Sequence, residues 1–357
     1  MKMINWWSNN FDEKEIKAVS DAILSKCISQ GEITDKFEKE LANFLQVPYC
    51  ICVPNGTQAI ALSFMACGVG YGDEIITSNR TFIGTAHAAL ILGAKIVAVD
   101  VKDDMSIDYN LLENKITNKT KLIVPVHLNG IANDMEAISK IADDNKITIV
   151  EDACQAFGSK YNGKFLGTFG RFGCFSLGIA KILSTGQGGV VAANTEEDYK
   201  LLQKIRNQGV FDVRKEQNYN IKAFNFKFND MQAAIGIAQL SKINEKIETC
   251  KDIYQTYKEK LDGKINYVKC DLESTVPMRF LILHQKNQEL KEWLINQGIG
   301  SSLDAPSLNL CPHLNINGKY PISDKFHKEI LILPSGPSQK VSDIKKVANK
   351  VLEWLDV

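Results

Sequence analysis

Between residues 49 and 151 the chain alternates short apolar runs with amphipathic stretches, and that alternation narrows the folds open to it. Residues 49–53, 74–77, 95–101, 121–126 and 147–151 read as strands, several of them rich in Val and Ile. Residues 57–67, 81–92, 108–116 and 134–144 read as the helices between them. Strands separated by helices make right-handed crossovers, which give a mostly parallel sheet covered on both faces. Ligands of such a sheet sit beyond the carboxyl ends of its strands. After Cys174 the pattern changes. Residues 172–177 and 189–193 read as a strand pair joined by a glycine-rich loop. Helices follow at 196–207 and from 229 to about 261, the second broken near Lys242. A strand at 278–284 and helices at 288–297 and 341–355 make a smaller α+β region. The expected architecture is α/β, with a large domain over 1–245 and a small C-terminal domain over 246–357.

A chain of 357 residues is long enough for two such cores. Lys+Arg and Asp+Glu both number 42, so no net charge draws the chain toward nucleic acid or an anionic membrane. No apolar run of 18 residues suggests a membrane span. The start, MKMINWWSNNFDEKEIKAV, lacks a continuous apolar stretch, so a secretory leader is not expected. The nine cysteines are scattered without a CxxC pair. They read as small buried residues in a reducing cytoplasm, and no metal site is expected.

Three motifs carry chemistry. Asn55-Gly56-Thr57 stands between a strand and a helix, where unpaired N–H groups and the positive end of the helix dipole can seat a phosphate. An ordinary Thr helix cap after a tight turn explains the same residues. In ITIVEDACQ (147–155), Asp152 and Gln155 fall just past a buried strand. A carboxylate there needs a cationic or hydrogen-bonding partner, and a protonated pyridine nitrogen would serve. Asp152 as a cap for the next element is the alternative. In FSLGIAKILSTGQGG (175–189), Lys181 sits in a weakly polar loop with Ser176 before it and glycines after it. A lysine so held can lose its proton and attack a carbonyl carbon, whereas a surface lysine in a mobile loop needs no such role. GQGG is no Walker loop, since no GK[ST] follows, and no GxGxxG opens the sheet.

Together these residues resemble the DegT/DnrJ/EryC1/StrS nucleotide-sugar aminotransferases, of the fold-type I pyridoxal-phosphate (PLP) superfamily. The resemblance extends to GYGDEIITSNRTFIGTAHAAL (70–90), VPVHLNGIANDM (124–135), NFKFNDMQAAIGIAQL (225–240) and ILILPSGP (330–337). It implies that Lys181 is the Schiff-base lysine and proton shuttle. Asp152 would pair with the pyridinium nitrogen, Gln155 would bond the phenolic oxygen and Phe82 would stack on the ring. Gly56, Thr57 and Ser176 would hold the phosphate. Asn225 would reach the phosphate of the neighbouring subunit, making the active unit a homodimer. L-glutamate would donate the nitrogen and a nucleotide-linked keto-sugar would accept it.

The chain departs from the family pattern in places. Lys227 stands where the family commonly has Arg, and Gln187 where it often has Glu. His127, at a strand end, reads as a satisfied structural histidine. Residues 300–317 and 214–223 are the candidates for reading the sugar. Two other readings remain open: a sugar dehydratase of the same fold, whose family carries His in place of the lysine, and a non-catalytic PLP-binding regulator.

Overall fold

The structure, a computed structural model, describes residues 3–356. Its main sheet uses β1 (Tyr49–Val53), β2 (Glu74–Ser78), β3 (Lys95–Val99), β4 (Thr120–Val124) and β5 (Thr148–Asp152). A small hairpin, β6 (Lys160–Tyr161) and β7 (Lys164–Phe165), precedes β8 (Phe172–Ser176) and β9 (Gly189–Ala193). The seven strands of the sheet run in the order β1-β9-β8-β5-β4-β2-β3. Only β9 opposes its neighbours, pairing antiparallel with β1 and β8. The pairs among β3, β2, β4, β5 and β8 are all parallel, as the strand–helix alternation requires. Strand residues alternate between two cores, as the pleat dictates. Val190 and Phe175 join the core of Phe37 and Leu41, while Val191 and Phe172 join that of Leu62 and Phe64.

The covering helices are α1 (Glu13–Leu24), α2 (Glu32–Leu45), α3 (Gly56–Ala66), α4 (Gly84–Leu90), α5 (Met135–Asn145), α6 (Glu196–Arg206) and α7 (Asp230–Leu240). α8 (Ile243–Leu261) begins after the break foreseen near Lys242. The expected boundary near residue 245 falls in its first turn. A second sheet follows, built from β10 (Asn266–Tyr267), β11 (Phe280–Leu283), β12 (Ser302–Leu303) and β13 (Ile330–Leu333) in the order β10-β11-β13-β12. α9 (Asn287–Asn296), α10 (Pro321–Glu329) and α11 (Val341–Leu355) complete the chain. A separate core of Tyr257, Phe280, Leu290, Leu333 and Val347 fills this region. Among the described residues no helix is long and apolar enough to cross a membrane.

Some elements differ from the sequence reading. The helix expected over 108–116 is two 3-10 turns, Tyr109–Leu111 and Glu113–Lys115. Asp108 bonds the N–H and side-chain amide of Asn110 here, a local competition that disfavours a regular helix. The helix expected from residue 81 starts at Gly84, so residues 81–83 run along the pocket before it. α1 and α2 were not foreseen. α1 carries a capping box, with Asp12 and Glu15 each bonding the other's end of the first turn.

α2 is capped from a distance. Its N-cap, Gly31, has no side chain to offer. Asp230, the first residue of α7, accepts from the N–H groups of Gly31 (2.9 Å), Thr34 (2.9 Å) and Ile33 (3.3 Å) and from the Thr34 hydroxyl (2.6 Å). The two helices touch closely, because a Cβ at Gly236 would lie 2.3 Å from the Phe37 ring. Asp230→Ala strips a buried helix start of its acceptor. It is expected to lower the urea midpoint by the equivalent of roughly 3 kcal/mol; a loss under about 1 kcal/mol would show that the cap does not hold α2.

Candidate active site

A cavity of about 760 Å³ opens at the carboxyl ends of the parallel strands, where the sheet topology calls for a ligand. One end is the start of α3. Asn55 caps it, accepting from the Gln58 N–H at 2.9 Å. The N–H groups of Gly56 and Thr57 have no intrahelical partner and face the cavity end of the helix dipole. Ser176 closes this end from the last position of β8. Glycine is required at residue 56, because a Cβ would lie 2.9 Å from both Cys154 Sγ and Ser176 Cβ. The helix start can therefore press directly against the end of β8.

The other end holds Asp152, the last residue of β5, which is only 4% exposed. Its Oδ2 accepts from the Thr85 hydroxyl at 2.6 Å and its Oδ1 from the Cys154 N–H at 3.1 Å. Among the described residues it makes no ion pair. Gln155 lines the cavity, with its Oε1 accepting from the Asn129 N–H at 3.1 Å. Phe82 stands on the wall with 59% of its surface uncovered, which sets aside plain core packing as its role.

Lys181 lies between these ends, in the loop from β8 to β9. Several groups pin its backbone. Its carbonyl accepts from Asn9 Nδ2 at 2.8 Å, and that of Ile179 from Trp7 Nε1 at 3.1 Å. The carbonyl of Ile182 accepts from the buried Lys246 amine at 3.3 Å, which also donates to Asn9 Oδ1 at 2.7 Å and to Gln239. The Lys181 amine itself donates to no described acceptor. Desolvation first, and then the nearby Arg279 charge, push it down to about 8, against the opposite pull of Cys154 and Asp152. An amine near neutrality can act as nucleophile and as proton carrier.

The structure thus brings Gly56, Thr57, Phe82, Asp152, Gln155, Ser176 and Lys181 to one cavity. Asn225 is not among them. It is exposed, its Oδ1 accepting from the Lys227 N–H at 3.3 Å, and Lys227 is exposed beside it. Gln187 lines the cavity, as do Ser302 to Ala305 from the segment 300–317, whereas 214–223 contributes no lining residue. His127 is fully buried away from the opening. Asn133 donates to its Nδ1 at 3.1 Å, so its Nε2 donates to Glu151 at 3.0 Å. Thr85, Asn129, Arg80 and Arg279 are site residues that the sequence expectations do not name, while Asp304 lies in the segment 300–317 expected to read the sugar. Thr85 could have been read, since it follows Phe82 by three residues. Bare N–H groups, a near-neutral amine, an uncovered aromatic ring and a carboxylate without a cation fit the phosphate, aldehyde, ring face and ring nitrogen of PLP.

The family model of the DegT/DnrJ/EryC1/StrS aminotransferase family matches residues 9–352. The GDP-perosamine synthase of Vibrio cholerae is 29% identical, over 99% of this chain and all of its own length. A pleiotropic regulatory protein of Geobacillus stearothermophilus is 33% identical, over 95% of this chain and 94% of its own. Among solved structures, DesV of S. venezuelae in complex with a ketimine intermediate superposes with a TM-score of 0.91 at 28% identity, covering 96% of this chain and 94% of that one.

Burial favours the neutral amine in the folded cofactor-free protein, so Lys181 is expected to react with an amine reagent along a titration centred at about 8. Folding then releases a proton from this group between that value and the usual ~10.4 of a free lysine, and stability gains from it as pH rises through that window. Site-resolved mass spectrometry of labelling against pH measures the titration. A midpoint near that of a free lysine would contradict the burial argument.

Proposed function

Because the chain belongs to the DegT/DnrJ/EryC1/StrS aminotransferase family, whose members work with PLP, we propose that it moves the amino group of L-glutamate onto a nucleotide-linked keto-sugar. The best single candidate is a 4-keto-6-deoxyhexose or its 3-keto isomer, used for surface-polysaccharide synthesis. The naming of a V. cholerae relative as a GDP-perosamine synthase supports a sugar of this class. The observation that carries the reading is Lys181, a near-neutral amine between a bare helix start and an unpaired carboxylate.

PLP, when bound, supplies an electron sink for the carbon that gains or loses nitrogen. In the proposed scheme the chain does the rest. The N–H groups of Gly56 and Thr57 and the Ser176 hydroxyl hold the phosphate. Asp152 accepts the ring N–H and keeps that proton in place. Gln155 has its carbonyl oxygen occupied by Asn129, which leaves its NH2 to donate to the phenolic oxygen. Phe82 covers one ring face. Lys181 Nζ takes the proton from the α-carbon of glutamate in the first half-reaction and gives one to the sugar carbon in the second, a two-step ping-pong scheme.

Asn225 would serve the partner subunit's phosphate in a homodimer; its exposure and its place outside its own cavity support that role. The division into a cofactor domain, 1–245, and a small domain, 246–357, rests on the separate core of the C-terminal region. The cytoplasmic location is part of the same reading, and all nine cysteines are free thiols. Lys181 stands against a dehydratase with His at that position. A regulatory relative at 33% identity keeps the binder reading alive, and an absorbance change of bound PLP on adding glutamate separates the two.

A panel of nucleotide-linked 3-keto and 4-keto sugars, assayed with glutamate, tests the proposal. Amination of a 4-keto-6-deoxyhexose is expected, with turnover falling at least ~10³-fold in Lys181→Ala. Asp152→Ala is expected to weaken both PLP retention and rate. Wild-type turnover in the lysine variant would sink the assignment.

A further inference from the structure

Arg279 brings to the cavity wall a guanidinium that has no hydrogen-bond partner among the described residues. Its backbone is fixed by Asn129, whose Oδ1 accepts from the Arg279 N–H at 2.7 Å and whose Nδ2 donates to the Arg279 carbonyl at 2.8 Å. Asn129 adopts φ 55°, the left-handed region that asparagine tolerates, and its own N–H reaches Gln155. One residue therefore ties Gln155 to the entry of β11.

The Arg279 side chain is 17% exposed and lines the cavity. Its guanidinium makes no hydrogen bond among the described residues, and its Nε is buried without a partner. The nearest acid, Asp304, stands 3.9 Å away, beyond hydrogen-bond range. The Trp6 ring lies 5.9 Å from the guanidinium carbon. Asp304 is already engaged elsewhere: it pairs with Arg80, which also donates to the Ala305 carbonyl and the Ser307 hydroxyl at 3.1 Å each. Arg80 is 3% exposed, and its Nε is likewise buried and unpartnered. Two guanidiniums thus share one carboxylate on the cavity wall. Buried donors left open in this way call for an acceptor, and a planar fork of N–H groups matches a carboxylate.

Position selects the anion. Arg279 and Lys181 line the same cavity, and the guanidinium charge disfavours a second positive charge on the lysine. An acid group bound at Arg279 is therefore near the reacting carbon. In an α-amino acid the carboxylate is bonded to that carbon. In a nucleotide-linked hexose the phosphate on carbon 1 is separated from carbon 3 or 4 by the ring. We propose that Arg279, backed by Arg80 and Asp304, receives the carboxylate of the amino donor that lies beside the reacting carbon. Asp304 serves as the resident counter-ion that this carboxylate displaces as the partner of Arg279. The inference rests on the aminotransferase reading but is tested apart from it.

The probe is 2-oxoglutarate, the keto acid of glutamate, titrated by calorimetry into the PLP-loaded protein, with which it cannot exchange nitrogen. Arg279→Gln is expected to weaken its binding about tenfold or more, and Arg279→Lys to restore only part, since the fork is lost. Asp304→Asn removes the competing charge and is expected to tighten binding several-fold, an opposite sign that misfolding cannot produce. Nucleoside diphosphate binding is expected to be unchanged in Arg279→Gln. Equal 2-oxoglutarate affinity in wild type and Arg279→Gln overturns the proposal, as does failure of the wild type to bind it. Loss of nucleoside diphosphate in its place also overturns it and assigns Arg279 to the sugar nucleotide. Amination in the keto-sugar panel scores the aminotransferase reading separately.

Discussion

Asp152 sits at the end of β5 with two hydrogen-bond donors and no described cation in ion-pair range. Its backbone is tethered on one side, where its N–H donates to Pro125 and its carbonyl accepts from His127, each at 3.0 Å. On the other side it registers with Cys174 of β8. A carboxylate fixed this firmly, away from water, is costly unless a cation or further donor meets its open side. That requirement sets the axis of the pocket. A ring with a protonated nitrogen would satisfy it at one end, and the helix start of α3 would then meet a phosphate at the other. Lys181 falls between them because β9 turns back antiparallel on β8, which forces the chain through the glycine-rich loop over the strand ends.

The loop itself owes its shape to remote segments. Residues 4–9 run from a bridge with Ile299, beside the small sheet, to Trp7 and Asn9 at the lysine loop. A Cβ at Gly336 would lie 2.2 Å from Ser8, so this strap has almost no lateral freedom. Lys246 at the start of α8 joins the same network. The C-terminal region therefore fixes the Lys181 loop through the N-terminal strap, as well as supplying Arg279 and Asp304 to the cavity wall.

Local signals made much of this legible. The strand–helix alternation revealed the parallel sheet, because each apolar run is short and each helix returns the chain. Gly56, Asp152 and Lys181 were readable because each lies at a strand end inside its own motif. α1 has a local start signal in Asp12 and Glu15, a capping box that stands ahead of the first apolar strand and outside the strand–helix alternation. α2 was harder, since its cap comes from Asp230, about two hundred residues away in sequence. The pairing of Arg80, Arg279 and Asp304 joins three distant segments, and no periodicity announces such a cluster. The 108–116 turns show the opposite failure, a helical pattern overridden by Asp and Asn side chains that bond the backbone locally.

Two lysines have amines pushed down to about 8, the half-buried Lys181 in the cavity and the buried Lys246 behind it. Only the first faces the pocket; the second is spent on Asn9, Gln239 and Ile182. Borohydride reduction of the PLP-loaded protein, followed by peptide mapping in a mass spectrometer, distinguishes them directly. The reduced phosphopyridoxyl group is expected on the peptide bearing Lys181 and on no other. A tag on Lys246, or on any other lysine with residue 181 unmodified, would contradict it.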